Sequence, residues 1–397
     1  MIVYLTAFIA TLAMSLAADV SGRRCRPAAG IPGRPMAAAA CGTDPQGLVR
    51  GGGTAPLQWF SRWATLCAPL PMLFILCARY DTGYDYAPTY LSDYRLFRMG
   101  ESIHSDFGFD LFYSVSQFLS DDPQVFFAIT GATTIICAYM AMVLMGGPVT
   151  LSVLVFILDD TFFRTTSMIS QFLAISLFLL AFALLMRPER TGRQRIAAYV
   201  IMAFASTVHV SGVVVTLTLA ALDMLRPSKR TSLALAAVFP CAALILHGPL
   251  TGVINAVYGG TRFSAYAGSV FQGQSSYSAL LIETAFVLFM GVVLAWRHAE
   301  ATAVHGFALI CESMALTFAI FQSTVPLMYR MGFYFAAFHI LTVPVFVRLL
   351  PYRYMRVAAA TAIVVCLACW LYLYPIRGNY DEFLPYTFAF DHMASFA

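Results

Sequence analysis

The stretch RYDTGYDYAPTY, residues 79–90, follows directly on an apolar run and carries Arg79, Asp81, Asp85 and four Tyr. Asp81 and Asp85 stand four apart around Gly83. They share a face if the segment is helical, and they lie on a sharp turn if it is a loop. A carboxylate here can act as general base on a sugar hydroxyl, or it can hold a neighbouring Arg. Tyr84, Tyr86 and Tyr90 offer flat amphipathic faces that suit sugar rings and the membrane interface alike. His209, in TVHVSG at 207–212, is a second candidate base because imidazole titrates near neutrality; its competing reading is a hydrogen-bonding packing residue. Four arginines sit at related places: Arg79 ends an apolar run, Arg164 and Arg330 open later ones, and Arg262 lies in GGTRFSAY at 259–266. Each alone reads as an interface anchor or a structural ion pair. As a set, guanidinium forks suit a phosphate or diphosphate, such as that of a lipid-linked substrate.

These residues need elements to hold them. The chain is 60% hydrophobic and 11% charged, with a mean hydropathy of +0.75. Its apolar runs are long and continuous, not alternating, so the fold class is an all-α polytopic integral membrane protein and not a β-barrel. We read spans at 1–18, 57–78, 124–145, 148–163, 166–186, 231–248, 277–296, 303–322, 328–348 and 357–375. The first lacks a basic leader and is read as a retained membrane helix. FGFDLFYSVSQFL, 107–119, is too short to cross simply and is read as an interfacial or re-entrant helix. The run 196–225 is too long for one crossing and is basic at both flanks, which predicts a hairpin with His209 at its apex. Counting that hairpin as two gives about twelve membrane segments.

Charge orients the scheme. Residues 19–56 are rich in Gly, Pro and Ala and carry five Arg, so they read as a flexible cytoplasmic linker by the positive-inside rule. The polytopic domain then covers 57–390, with a large outer loop at 79–123. Among the basic residues only Arg79, Arg95, Arg98, Arg164, Arg262, Arg330 and Arg377 fall on the outer side, whereas acidic residues gather there.

Other signals are weak. The nine Cys are scattered and read as small buried hydrophobes. Glu283 and Glu312 lie inside apolar spans and are read as bonded to nearby Ser and Thr, with a proton path as the alternative. His247, His298, His305, His339 and His392 show no ligand spacing. No phosphate-loop, dinucleotide or nucleic-acid signature appears.

In order and spacing the chain resembles the EpsG family of Wzy-like bacterial polysaccharide polymerases. The resemblance rests on Arg79, Gly83-Tyr84-Asp85-Tyr86 and Tyr90; Asp106-Phe107-Gly108-Phe109; Ser170-Gln171-Phe172-Leu173-Ala174; His209-Val210-Ser211; Arg262-Phe263 with Tyr266; Arg330; and Pro385-Tyr386. It covers about residues 57–390, with Asp106 where the family more often has Glu and Ser170 where it has Arg. Arg164 is a candidate to supply that missing charge.

The resemblance implies a Wzy-like or GT-C-like helical bundle in the bacterial cytoplasmic membrane, with its site facing the periplasm or cell exterior. It implies a nucleotide-independent glycosyltransferase that joins oligosaccharide repeat units carried on undecaprenyl diphosphate. The catalytic candidates are Asp85, His209 and Asp81. Arg79, Arg164, Arg262, Arg330, Gln171, Tyr86, Tyr90, Asp106 and Tyr266 are candidates for binding diphosphate or glycan. The expected partners are the lipid-linked oligosaccharide, membrane lipids and a chain-length regulator, with no nucleic acid. No cofactor is expected, although a divalent metal on Asp81, Asp85 and the diphosphate is conceivable. Alternatives are a lipid-phosphate-dependent transferase of single sugars, a flippase or transporter of lipid-linked glycan, and an acyltransferase built on His209.

Overall fold

A computed structural model describes residues 1–24, 55–101, 103, 106–187, 190–258, 277–322 and 328–391. Arg262, Tyr266 and most of the expected linker, residues 25–54, lie outside the described residues.

The described residues are helical almost throughout. The chain opens with α1 (Ile2–Arg24), α2 (Ala55–Cys67) and α3 (Leu70–Ala78), then strand β1 (Arg79–Tyr80), a π-helical turn (Tyr86–Leu91) and α4 (Ser92–Arg98). Next come α5 (Phe107–Leu119), α6 (Pro123–Met145), α7 (Val149–Leu158), α8 (Thr161–Ser167) and α9 (Ile169–Leu185). The hairpin α10 (Gly192–Val208) and α11 (Gly212–Leu225) follows, then α12 (Lys229–Tyr258), α13 (Tyr277–Trp296) and α14 (Ala303–Phe321). The chain closes with α15 (Met328–Ala336), α16 (His339–Leu349), α17 (Arg353–Leu371) and strand β2 (Thr387–Phe388). Among the described residues seven helices are long and apolar enough to cross a membrane, or eight if the bent pair α15–α16 is one span. α7, α9 and α11 are apolar but shorter. The sequence reading of about twelve segments includes such short pieces.

Local chemistry explains several boundaries. Pro69 separates α2 from α3 because a proline lacks the N–H that would continue the helix. Asp122 caps α6 by accepting the Gln124 N–H at 2.8 Å, Pro123 takes the first helical position, and Gly146 ends the helix in a left-handed conformation. The hairpin α10–α11 turns at His209–Ser211, as the basic flanks predict. α5 spans the thirteen residues read as an interfacial segment. It buries Gly108, Phe109, Tyr113 and Ser116 and leaves Phe107, Leu111, Val115 and Phe118 exposed, so one stripe meets protein and the other is free to meet lipid.

α9 is the centre of the bundle and is buried along nearly its whole length, packed against α6, α8, α10 and α11. Polar contacts divide the bundle into two ends. At one end Asp19 accepts the Val149 and Thr150 backbone N–H groups at 3.2 and 3.0 Å. There Arg348 donates to the Gly146 carbonyl at 2.6 Å, and Asp223 holds Arg190 and Arg195 at 2.5 and 2.7 Å. The other end gathers β1, the π-helical turn, the α7–α8 turn, the hairpin apex, α15 and the C-terminal segment. The chain's first and last parts meet here, where the Tyr4 hydroxyl donates to the Phe383 carbonyl at 3.1 Å amid Phe8, Phe162, Phe163 and Tyr386.

Candidate active site at one end of the bundle

The segment that follows α3 is a tight turn and not a helix. Gly83 has φ +107°, and a Cβ there would lie 2.2 Å from the Thr166 carbonyl oxygen, so only glycine fits. This close approach lets the Gly83 and Tyr84 N–H groups donate to the Glu382 and Asp381 carbonyls at 3.1 and 3.0 Å. Ser167 Oγ donates to the same Asp381 carbonyl at 2.7 Å. β1 pairs antiparallel with β2, Arg79 opposite Phe388 and Tyr80 opposite Thr387. The C-terminal segment is therefore strapped across the site, bringing Asp381 in.

The turn separates the two acids of the opening motif. Asp81 is exposed, with φ 44°, at a cleft lined by Tyr80, Asn379, Glu382 and Pro385. Asp85 is half-buried and caps the π-helical turn, its carbonyl accepting the Tyr90 N–H at 3.1 Å. Burial pushes the Asp85 carboxyl above the ordinary range, the nearby Arg330 guanidinium opposes that, and Asp381 adds to it. Burial likewise raises Asp381, against Arg164 and Arg330. Two carboxyls and two guanidiniums thus share one charge field.

Arg164 is held at both faces. Its Nε donates to Asp160 Oδ2 at 2.7 Å, one helical turn away, and its guanidinium lies 3.9 Å from the Phe333 ring centre. Arg330 donates from Nε to the Tyr329 hydroxyl at 3.3 Å, and its carbonyl accepts Gln171 Nε2 at 2.6 Å. Buried acceptors remain unmet here: Asp160 Oδ1 and Gln171 Oε1 have no hydrogen-bond partner among the described residues.

Arg79 is placed differently. It is 1% exposed and sits 5.9 and 5.8 Å from the ring centres of Tyr86 and Phe127, which stack on each other. Its guanidinium makes one hydrogen bond among the described residues, from Nη1 to the Thr165 carbonyl at 3.5 Å. Four arginines gathered around one ligand were expected; of the described three, Arg164 and Arg330 share a site and Arg79 is packed inside the protein. Tyr86 and Tyr90 are buried as well, Tyr90 with its hydroxyl against Ser170 at 3.4 Å, whereas Tyr84 is exposed. Tyr90 thus occupies the position beside residue 170.

His209 and Asp106 form a pair. His209 Nδ1 lies 3.4 Å from Asp106 Oδ2, and the same oxygen accepts the Val210 N–H at 2.9 Å. Asp106 precedes α5, and α5 can reach the hairpin only because Gly108 has no side chain: a Cβ there would lie 2.3 Å from Thr207 Oγ1. The His209 ring stacks on Tyr334 at 6.4 Å between centres. Tyr334 stands four residues after Arg330 on α15, so this short helix carries one member of each cluster.

Asp160, Phe333, Tyr334 and Asp381 were not anticipated. The four-residue spacing of Asp160 and Arg164 was visible in the sequence; Asp381 had no such signal, since its contacts come from distant segments. Of the two glutamates expected to bond nearby hydroxyls, Glu312 accepts from Thr342 Oγ1 at 2.5 Å, whereas Glu283 lies against His339 Nε2 at 3.1 Å. His339, which has no ligand spacing along the sequence, touches Glu283, Glu312 and Asp159, which come from three other segments.

No curated protein and no solved structure matches the chain. A family model described as the EpsG family matches residues 62–388, a span that runs from α2 through β2 and contains both clusters. The chain belongs to the EpsG family, membrane proteins of the Wzy-like polysaccharide polymerase type.

Proposed function

We propose that this protein joins oligosaccharide repeat units carried on undecaprenyl diphosphate, working at the outer face of the bacterial cytoplasmic membrane. The observation that carries the reading is the paired Arg164 and Arg330, set among Asp85, Asp381 and unmet buried acceptors at one end of the bundle. Two guanidiniums can neutralise a departing lipid diphosphate, the charge that develops as the glycosyl bond breaks. Asp160 Oδ1 and Gln171 Oε1 suit donors such as sugar hydroxyls. His209 is the base for the acceptor hydroxyl: Asp106 at Nδ1 fixes the ring and leaves Nε2 to take the proton. Asp85 then orients Arg330. The basic far end supports an orientation with the site outward.

The test is a purified protein in lipid nanodiscs, given a defined lipid-linked repeat unit and no nucleotide. Polymer should form. His209→Gln should slow it by about 10²–10⁴-fold, as loss of a general base does. Arg330→Ala should slow it with the fold intact. Movement of unmodified lipid-linked glycan across the bilayer, without polymer, would instead favour a transporter.

A further inference from the structure

Below the Arg164 cluster lies a second polar group that the proposed reaction does not use. His339 opens α16 and is fully buried against Phe286. Its Nδ1 lies 3.3 Å from Asp159 Oδ2. Its Nε2 lies 3.1 Å from Glu283 Oε2 on α13 and 2.6 Å from Glu312 Oε2 on α14. Glu312 is 0% exposed and Glu283 7%. No Arg or Lys forms an ion pair with any of these carboxylates among the described residues.

Charge and hydrogen bonding do not balance as they stand. Three carboxylates face a single imidazole in the interior of an apolar bundle, where unpaired charge is costly. If Nδ1–H donates to Asp159, the Nε2 lone pair points at two carboxylate oxygens. If both nitrogens carry protons, Nε2–H can serve only one of the two well. Glu312 Oε2 indeed has no hydrogen-bond partner, although it is buried and aimed at the ring.

A divalent cation eases both problems: it offsets two of the three carboxylate charges, and it gives Nε2 and Glu312 Oε2 a common partner. We propose that Glu283, Glu312 and His339 Nε2 hold one divalent cation of the Zn²⁺ or Mn²⁺ class. One ligand atom from each lies within 4.8 Å of the others. Ligands bonded at about 2.0–2.2 Å sit roughly 3 Å apart in tetrahedral or octahedral sites, so small shifts of side chain suffice. One imidazole with two carboxylates is a mixed N/O set, which suits Zn²⁺ or Mn²⁺ better than Ca²⁺ or a thiolate-seeking ion. Asp159 on Nδ1 is the outer carboxylate that metal-bound histidines commonly use to fix the ring. Asp159 also adjoins Asp160, the partner of Arg164, so the cation would steady the turn that aims the cationic site.

The experiment measures metal in the full chain, purified in detergent through a tag free of histidine. Protein is incubated with Zn²⁺ or with Mn²⁺, desalted and analysed by elemental mass spectrometry. About one equivalent should remain on the wild type, and below about a tenth on Glu312→Gln and Glu283→Gln variants that elute as single species. X-ray absorption of the Zn²⁺-loaded wild type should show one imidazole with oxygen neighbours and no sulfur, a readout that needs no variant. Retention of neither metal, equal retention in the variants, or a sulfur or multi-imidazole shell would overturn the proposal. None of these outcomes bears on whether the protein makes polymer.

Discussion

Arg79 and Arg164 share a residue type and an end of the bundle, and their surroundings give them different work. Arg79 lies between the stacked Tyr86 and Phe127 rings and the Thr165 carbonyl, enclosed by protein. Arg164 is stacked on Phe333, and its carboxylate partner Asp160 has a spare oxygen. The sequence showed both as arginines at span ends and could not tell them apart, because enclosure is a property of neighbours that arrive from elsewhere. Asp85 allows a sharper statement. Burial raises its folded pKa, so its protonated form favours the fold. That contribution is full below the ordinary Asp value of about 4 and is lost as pH rises through the raised value. Wherever Asp85 is ionised in the fold, its buried charge is a cost. Asp85→Asn should therefore hold or raise the melting temperature at pH 7 and shrink the gain in stability on acidification, while lowering polymer yield. A drop of many degrees at pH 7 would show instead that Asp85 is chiefly a structural mate of Arg330.

At the scale of elements, hydropathy reveals much of the architecture. The long apolar runs are helices, and the hairpin at His209 is legible because two basic flanks demand that the chain turn back. The bend between α15 and α16, 42°, is less so, since its apolar run is continuous. Motif glycines become intelligible only with the partners in place: Gly108 is the contact through which α5 meets α10 and carries Asp106 to His209. Gly108→Ala should destabilise the protein by about 1–3 kcal/mol through overpacking. It should also lower polymer formation beyond what the stability loss explains. Thermal unfolding in detergent beside a turnover assay separates the two effects; full activity with a lowered melting temperature would mean that the His209–Asp106 pair does not need this contact.

For the whole molecule, the two ends differ in charge as well as in contacts. Arg187, Arg190, Arg193, Arg195, Arg226, Lys229, Arg230, Arg348, Arg353 and Arg356 lie toward the end away from the site. Reporter fusions at residues 100 and 192 should therefore fall on opposite sides of the membrane, with 192 in the cytoplasm; exchanged sides would invert the proposed orientation, and a common side would refute the topology. The site itself was only half visible in sequence, because its parts are joined over the full length of the chain. Tyr4 reaches Phe383, and Gly83 and Tyr84 reach Glu382 and Asp381. This strap sets a timetable for biogenesis. All the described membrane helices precede the strap in the chain, so each can be inserted before the strap docks and closes the site. A chain stopped after Ile376 should integrate with normal topology yet make no polymer, and supplying residues 377–397 as a separate peptide should restore little, since the strap docks best while still tethered to α17.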